Sequence, residues 1–310
     1  MKISHLVFGC ALLSAIFAPC RRAHADPAPP PPSPSPSPPP SIFGGPPLQP
    51  GQHFSLDPVA DGALTAVGFG FTFLLGEILG TGEIKPPPIS VPTSSLLSID
   101  RPAVTQTIDP NAATVSDVLL YSTIGFAVLD PILSGLRDGW DAALVDAFMY
   151  AESGSLALAL TDITKIAVRR PRPIDYQRCP VTTESNGTIE QSANPGCGST
   201  DLGLSFFSGH AAAVASIGAT ATYLAFIRDP HSPRPWITLA VATALTSFVS
   251  IERVRAGQHF PTDVIAGSLA GAAIGVLVPH LHRHASEAPP VWLGIAPVPG
   301  GGSVTLKAVF

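Results

Sequence analysis

Six long apolar segments follow residue 53, and polar stretches rich in turn-forming residues separate them. The segments are longer than most strands, and Ala, Leu and Gly dominate them, so we predict that each forms an α-helix. Loops are predicted at 86–98, 171–205 and 229–235, where proline, glycine and short polar residues cluster. The predicted helices cover residues 56–78, 113–136, 140–168, 211–227, 236–251 and 262–281.

The two ends of the chain differ from this helical region. Residues 26–52 are so rich in proline and serine that they predict an extended, polyproline-like spacer. Residues 291–296 and 303–309 flank a Pro-Gly-Gly-Gly sequence and predict a short β-hairpin. The fold class predicted is therefore all-α, a helical bundle of about six core helices with a short C-terminal β-hairpin.

The N-terminus has the features of an export signal. Lys2 precedes an apolar run over residues 6–18, and the small residues of an Ala-His-Ala sequence end at residue 25. We therefore predict cleavage before Asp26 and an exported protein of the periplasm or cell envelope. The predicted domains are a signal peptide at 1–25, a linker at 26–52, a helical domain at 53–288 and a hairpin tail at 289–310.

Composition excludes two broad classes of protein. The chain has 17 Lys and Arg against 22 Asp and Glu, a net charge of −5, so no basic surface for nucleic acid is expected. Hydrophobic residues make up 45% of the chain, which excludes a disordered protein. Only 13% of the residues are charged, a share low enough to leave a membrane protein open.

Two cysteines, Cys179 and Cys197, lie outside the predicted signal peptide. In an exported protein, two remaining cysteines 18 positions apart are expected to pair. No Cys-x-x-Cys spacing or nearby histidine cluster accompanies them, which argues against a metal site. We therefore predict a disulfide.

Two clusters of polar residues lie around the loop between the third and fourth predicted helices. The first, at 165–173, contains one lysine and three arginines. Taken alone, it fits a basic helix end that complements the helix dipole, or a cytoplasmic flank of a membrane span. The second, Ser208-Gly209-His210, begins an alanine-rich helix. Ser208 fits an ordinary N-cap, and the free N–H groups of such a helix end also suit an anion.

A third cluster, at 252–263, leads into the last predicted helix. Pro261 suits the first position of that helix, and Asp263 falls in its first turn, four residues after His259. From there the carboxylate can reach one imidazole nitrogen, fix the tautomer and raise the basicity of the other nitrogen.

Together the three clusters fit a single reaction. The amides of Ser208 and Gly209 can bind the oxygens of an anion, and His210 and His259 can serve as acid and nucleophile. This set fits phosphoryl transfer without a metal. The side chains able to surround a dianion are those of Lys165, Arg172 and Arg253.

The order and spacing of these residues resemble the tripartite signature of the type 2 phosphatidic acid phosphatase / vanadium haloperoxidase superfamily. The resemblance covers about residues 115–281, and the motifs stand between the expected helices. Two positions depart from it, since Phe207 replaces the usual Pro before Ser-Gly-His and Glu252 replaces the usual Ser before the third-motif Arg. The motifs are Lys165-x6-Arg172-Pro173, Ser208-Gly209-His210 and Arg253-x5-His259-x3-Asp263.

The resemblance implies a metal-independent phosphomonoesterase without a cofactor, acting on soluble phosphomonoesters or on lipid phosphates. It implies that His259 attacks phosphorus and forms a phosphohistidine, that Asp263 orients its ring, and that His210 protonates the leaving alcohol. The residues that it implies for phosphate binding are Lys165, Arg172, Ser208, Gly209 and Arg253.

Two other functions remain open at this point. The same residues can bind vanadate as a phosphate mimic, so a vanadate-dependent haloperoxidase is the alternative enzyme, although the chain is short for one. A non-catalytic envelope protein that binds phosphorylated ligands is the other alternative.

The sequence also leaves open whether the helices cross a membrane. Asp146 and Glu152 in the third predicted helix, and Glu77 in the first, cost free energy in lipid unless they face the bundle. After signal cleavage, six spans would place the predicted disulfide in the cytoplasm, where disulfides are rare. We therefore favour a globular periplasmic domain, with an integral inner-membrane protein as the alternative.

Overall fold

The computed structural model describes residues 53–81, 83, 92–179, 181–183, 189–191, 197, 200–283, 291–298 and 301–308. The predicted signal peptide at 1–25 and linker at 26–52 lie outside the described residues, and the predicted domain boundaries stay predictions.

Six long helices form the described bundle, and the predicted all-α fold is confirmed. The helical segments predicted from apolar patterning agree with them to within a few residues at each end. Between the third and fourth long helices the chain also forms a short helix, which the sequence did not predict. The helices are α1 (Pro58–Gly80), α2 (Pro110–Asp138), α3 (Trp140–Val168), α4 (Pro173–Arg178), α5 (Gly209–Arg228), α6 (Arg234–Arg255) and α7 (Pro261–Leu281).

Two antiparallel hairpins accompany the helices. Strands β1 (Val181–Thr183) and β2 (Ile189–Gln191) pair within the loop that follows α4, where no strand was predicted. Strands β3 (Val291–Val298) and β4 (Gly301–Ala308) form the predicted C-terminal hairpin, with Val298 opposite Gly301 at its turn.

Local sequence chemistry sets the starts of the helices. Asp57 caps α1 by accepting hydrogen bonds from the backbone N–H groups of the second and third residues of that helix, and Asp109 caps α2 by accepting one from the second residue of α2. Proline occupies the first position of α1, α2 and α7, where a missing N–H leaves no hydrogen bond unmade. Ser208 is the N-cap of α5, as predicted.

Helices α5 and α7 pack against each other more closely than ordinary side chains allow. A Cβ atom on Gly271 would lie 2.0 Å from the carbonyl oxygen of Ala212. One on Gly275 would lie 2.2 Å from the carbonyl oxygen of Ser216, and one on Gly267 would lie 2.5 Å from that of Ser208. We call this row the glycine seam (Gly267, Gly271 and Gly275). Because it runs parallel to both axes, it holds the N-terminal ends of α5 and α7 side by side.

Large apolar side chains point outward from several helices, whereas charged groups lie inside the bundle. Phe73 on α1 and Tyr121 on α2 are each 70% exposed, and Trp236 on α6 is 63% exposed. Asp146 and Glu152 on α3 are buried, and Asp146 accepts a hydrogen bond from Arg228 on α5. A soluble protein usually places charges outside and its largest apolar side chains inside.

Each of the six long helices of the described chain is long and apolar enough to cross a membrane, as judged by length and composition. These helices and their outward apolar faces fit an integral membrane protein, which was the alternative drawn from the sequence. The globular periplasmic domain favoured from the sequence is not confirmed.

Candidate active site

All three sequence motifs meet at one end of the bundle. The first ends α3 and begins α4, the second begins α5, and the third joins α6 to α7. The glycine seam brings the last two together, and the backbone N–H of Ser208 donates to the carbonyl of Asp263 at 3.1 Å. We refer to this end of the bundle as the motif end.

Arg172 is engaged at all three nitrogens of its guanidinium. Its side chain is buried, and its Nε atom donates to the backbone carbonyl of Asp201 at 2.9 Å. One terminal nitrogen pairs with the Asp201 carboxylate at 2.6 Å, and the other donates to Gln258. The guanidinium is therefore held in place, with an exposed carboxylate occupying one edge of its fork.

Lys165 lies beside the N-terminal end of α5. A Cβ atom on Gly209 would be 3.9 Å from the Lys165 amine and 3.2 Å from a methyl group of Thr161. The absence of a side chain at this position therefore lets the lysine amine lie close to the backbone N–H groups of the helix start, which favour an anion.

His259 is buried and held by the backbone of a neighbouring loop. Its Nδ1 atom lies 2.7 Å from the carbonyl oxygen of Ser205. Since a carbonyl only accepts, Nδ1 carries the proton, and the lone pair is on Nε2. Burial lowers the pKa of His259 well below its usual value, and the positive charges of Arg172, Arg253 and Lys165 lower it further. The imidazole is therefore neutral and suited to act as a nucleophile.

The structure corrects the predicted contact between Asp263 and the His259 ring. Asp263 instead accepts from Arg170 at 2.5 Å, from the Ser205 hydroxyl at 2.5 Å and from the backbone N–H of Phe260 at 2.9 Å. The first turn of α7 directs the carboxylate toward its own helix start, as a cap, so it cannot also bind the ring. Ser205 thus links the two, with its hydroxyl on Asp263 and its carbonyl on His259.

Behind this link lies a layer of charges that the sequence did not mark as part of the site. Arg170 donates to Asp100 at 2.8 Å and stacks over the ring of Phe260, 3.9 Å from its centre. Asp100 is fully buried and also accepts from the backbone N–H of Thr262 at 3.0 Å. Together these contacts fix the start of α7, and with it the loop that carries His259.

His210 contacts a carboxylate from a helix that carries no motif. Its Nε2 atom lies 2.7 Å from Asp117 on α2. The same carboxylate oxygen is 3.6 Å from a terminal nitrogen of Arg253, which also donates to Ser116 at 3.4 Å. Asp117 is the only charged residue in the first 19 positions of α2, and this isolated charge is the signal by which it could have been found.

One of the two departures from the family pattern is explained by a local ion pair. Glu252 is buried, but its carboxylate accepts from Arg255 at 2.7 Å, and Arg255 in turn pairs with Asp109 at 2.5 Å. The carboxylate therefore neutralises Arg255 rather than the neighbouring Arg253. Phe207, at the other departure, is buried.

Cys179 and Cys197 form a disulfide, with their Cα atoms 5.7 Å apart. The bond closes the loop that leaves α4 and returns near the turn Thr200–Gly203, which contains Asp201. It therefore tethers the loop that supplies the carboxylate on Arg172.

The site as a whole combines cationic side chains, a helix N-terminus and two differently supported histidines. The positive charges of Lys165, Arg172 and Arg253 all lower the pKa of His259, so all three lie within electrostatic range of its ring. Cations and the N–H groups of a helix start both favour an anion, so this arrangement suits a dianion.

Comparison with known proteins agrees with these motifs. Residues 147–287 match the PAP2 superfamily model. Among solved structures, the chain is similar to a transmembrane PAP2-type phosphatidylglycerolphosphate phosphatase from Bacillus subtilis, with a TM-score of 0.41 and 19% sequence identity, covering 71% of this chain and 94% of that one. No curated protein matches the chain. The segment 147–287, which contains all three motifs and the residues that surround His259, belongs to the PAP2 superfamily.

Proposed function

We propose that this protein is a membrane-embedded phosphatase that hydrolyses lipid phosphomonoesters through a phosphohistidine on His259. Membership of the PAP2 superfamily supports a phosphatase. The observation that carries the mechanism is the environment of His259: its Nδ1 atom donates to the carbonyl of Ser205, and burial and three neighbouring cations lower its pKa, which favours the neutral ring with its lone pair on Nε2.

In the first step, the Nε2 lone pair of His259 forms a bond to phosphorus, and the bond from phosphorus to the alcohol oxygen breaks. His210 acts here in its protonated form: it gives one ring proton to that oxygen and becomes a neutral imidazole, so the alcohol leaves neutral. The charge on the phosphoryl oxygens is neutralised by Lys165, Arg172 and Arg253, and this fixed arrangement is why no metal is needed for the step.

In the second step, a water molecule attacks phosphorus while His210, now a base, takes the proton of the water. The nitrogen–phosphorus bond breaks, and its electron pair returns to Nε2 of His259. Inorganic phosphate leaves, and the enzyme is restored. Asp117 holds His210 in place through both steps, because its carboxylate bonds to the ring at 2.7 Å.

The outward apolar faces support a lipid as the substrate. The helices that carry the site are flanked by α1 and α2, whose outer faces are lined with large apolar side chains. A lipid phosphate that stays in its bilayer would present its headgroup at the height of the helix ends, which is where the motifs lie.

The disulfide supports an orientation in the membrane. Disulfides persist on the oxidising side, so the motif end and its Cys179–Cys197 bond would face away from the cytoplasm. Asp57, at the start of α1, would then lie on the cytoplasmic side. Cleavage of an export signal before Asp26 would instead place Asp57 outside the cytoplasm, so it is incompatible with this orientation. N-terminal sequencing of the purified protein tests the point, and a chain that starts at Asp26 would refute the orientation.

The function is tested by phosphate release from the full-length chain purified in detergent. A dispersed phosphatidic acid and a soluble aryl phosphate are offered in parallel, with a chelator present. We expect release from the lipid, loss of that release in His259→Ala, and wild-type rates in His231→Ala, which alters an exposed histidine between α5 and α6. Release from the soluble ester alone would refute the lipid substrate, and activity retained in His259→Ala would refute the mechanism.

A further inference from the structure

A second cluster of ionisable side chains lies at the opposite end of α7 from His259. Helix α7 has 21 residues and is therefore about 31 Å long. Three side chains meet where it ends, with one potential ligand atom of each within 4.8 Å of the others. They come from the first turn of α1, the middle of α3 and the C-cap of α7, and are Asp61, Glu152 and His282.

Two of the three side chains, His282 and Asp61, are already oriented by backbone contacts. His282 places Nδ1 2.8 Å from the carbonyl of Val278, so Nδ1 donates and the lone pair of a neutral ring is on Nε2. Asp61 accepts from the backbone N–H of Asp57 at 2.8 Å through Oδ2, which leaves Oδ1 toward the cluster. Backbone partners of this kind orient the ligands of metal ions.

Glu152 supplies an independent observation. Its side chain is 95% buried, and its Oε2 atom has no hydrogen-bond partner among the described residues, yet it faces Nε2 of His282 at 3.5 Å. A buried carboxylate oxygen left without a donor costs free energy, unless a cation satisfies it.

The spacing of the three atoms suits a shared cation. Two ligands about 2.1 Å from a zinc ion and at a tetrahedral angle lie about 3.4 Å apart. Nε2 of His282 lies 3.2 Å from Oδ1 of Asp61 and 3.5 Å from Oε2 of Glu152. A dication would also neutralise the two carboxylates, whereas a protonated His282 supplies a single charge and leaves Oε2 beyond good hydrogen-bond distance.

We propose that Asp61, Glu152 and His282 bind a divalent transition-metal ion of the Zn²⁺ class, with water completing its coordination. One imidazole nitrogen and two carboxylate oxygens are a donor set that such ions accept. The ion joins α1 and α3 to the end of α7, so its role is to hold these helices together. It lies far from the phosphate site and takes no part in phosphoryl transfer.

The test measures metal binding directly in the full-length chain, purified in detergent, freed of its affinity tag and stripped with a chelator. Calorimetric titration with Zn²⁺ is expected to show about one ion per chain, and the melting temperature should rise with Zn²⁺ concentration as linkage requires. Mg²⁺ at the same concentration is expected to have little effect, because it prefers a full octahedral oxygen shell.

Conservative variants then identify the ligands. Asp61→Asn, Glu152→Gln and His282→Gln should each weaken Zn²⁺ binding by about tenfold or more, by analogy with the effect of losing an orienting partner. His231→Gln is the matched control and should bind as the wild type does. Circular dichroism establishes that each variant is folded before its binding is compared.

Two results would overturn the proposal. The first is a folded wild-type chain that binds no Zn²⁺ after stripping, which would make the cluster an ion pair around a protonated His282. The second is Zn²⁺ binding that survives in the Glu152→Gln/His282→Gln double variant, which would place the metal elsewhere. Neither result affects the proposed function, because phosphate release is measured in the presence of chelator.

Discussion

Ser205 contacts His259 through its backbone and Asp263 through its side chain. Its carbonyl oxygen lies 2.7 Å from Nδ1 of the histidine, and its hydroxyl lies 2.5 Å from the carboxylate. The carboxylate of Asp263 therefore acts on His259 indirectly, because it fixes the residue whose carbonyl selects the tautomer of the ring.

This arrangement predicts that Ser205→Ala and Asp263→Asn damage the enzyme through the same path. Loss of a hydrogen bond to a charged group costs about 1.5 kcal/mol or more, so kcat for Ser205→Ala should fall about tenfold with little change in KM. The double variant should be less impaired than the product of the two single effects. Ser250→Ala, which removes a hydroxyl contact between α6 and α7 that involves no motif residue, is the control. Fully multiplicative effects would contradict the link.

Asp117 should matter for turnover more than for binding. Asp117→Asn removes the carboxylate that bonds to His210, so kcat should fall by about 10²-fold, the lower range for loss of acid–base catalysis. KM should not rise, since the change also removes a negative charge near Arg253. Asp138→Asn, at the exposed end of the same helix, provides the comparison. A raised KM with unchanged kcat would place Asp117 in substrate binding instead.

The pH profile should report the lowered pKa of His259. Protonation removes the attacking lone pair, so kcat/KM falls as the pH drops through this pKa. Because burial and three cations lower the pKa of His259 below 6.5, activity should fall at a lower pH than it would for an enzyme that depends on an ordinary histidine. Arg253→Gln removes one of these charges and should shift this fall in activity to higher pH, whatever its effect on the maximal rate. Measuring both enzymes on one substrate cancels the titration of the substrate, and a downward shift would refute the assignment.

The glycine seam should be intolerant of a single methyl group. Gly271→Ala would place a Cβ atom 2.0 Å from the carbonyl oxygen of Ala212, a backbone atom that cannot turn aside. We expect a loss of about 1–3 kcal/mol in the free energy of unfolding, the range for overpacking, and a lower melting temperature. Gly125→Ala on α2 meets no atom within 4 Å and should be neutral or stabilising. Equal melting temperatures for the two variants would show that the seam can open.

Asp201 should compete with phosphate for Arg172. Its carboxylate pairs with the guanidinium at 2.6 Å but is 72% exposed, so the pair contributes at most about 1 kcal/mol. Asp201→Asn should therefore tighten inhibition by inorganic phosphate by about two- to fivefold, as measured from the inhibition constant. Weaker inhibition would mean that Asp201 orients Arg172 for binding rather than opposing it.

The sequence predicted the six long helices well, because each is a long apolar run between polar stretches and needs no distant partner to be recognised. The sequence also grouped His210, His259 and the cations into one site, because each motif is a short contiguous stretch that can be recognised without knowing its distant partners. The short helix α4 and the β1–β2 hairpin were not predicted, because so few residues show little hydrophobic periodicity. Asp117 was not predicted as part of the site, because its partner His210 lies 93 positions away in the sequence.

Ser205 was missed for a different physical reason. It fixes His259 through a backbone carbonyl, which every residue type possesses, so the identity of residue 205 carries no signal for that contact. The cluster of Asp61, Glu152 and His282 was missed because its members are scattered along the chain and meet only when α1, α3 and α7 pack together.

The glycine seam also restricts how the proposed substrate can reach the site. With backbone carbonyls in the path of any Cβ at three successive levels, α5 and α7 can neither slide nor rotate against each other without parting. Any opening between helices that admits a substrate would then come from motion of the outer helices. An outward motion of α2 would carry Asp117 away from His210 and break their contact. His210 would then lose its orienting partner while α2 is displaced and regain it only when α2 returns.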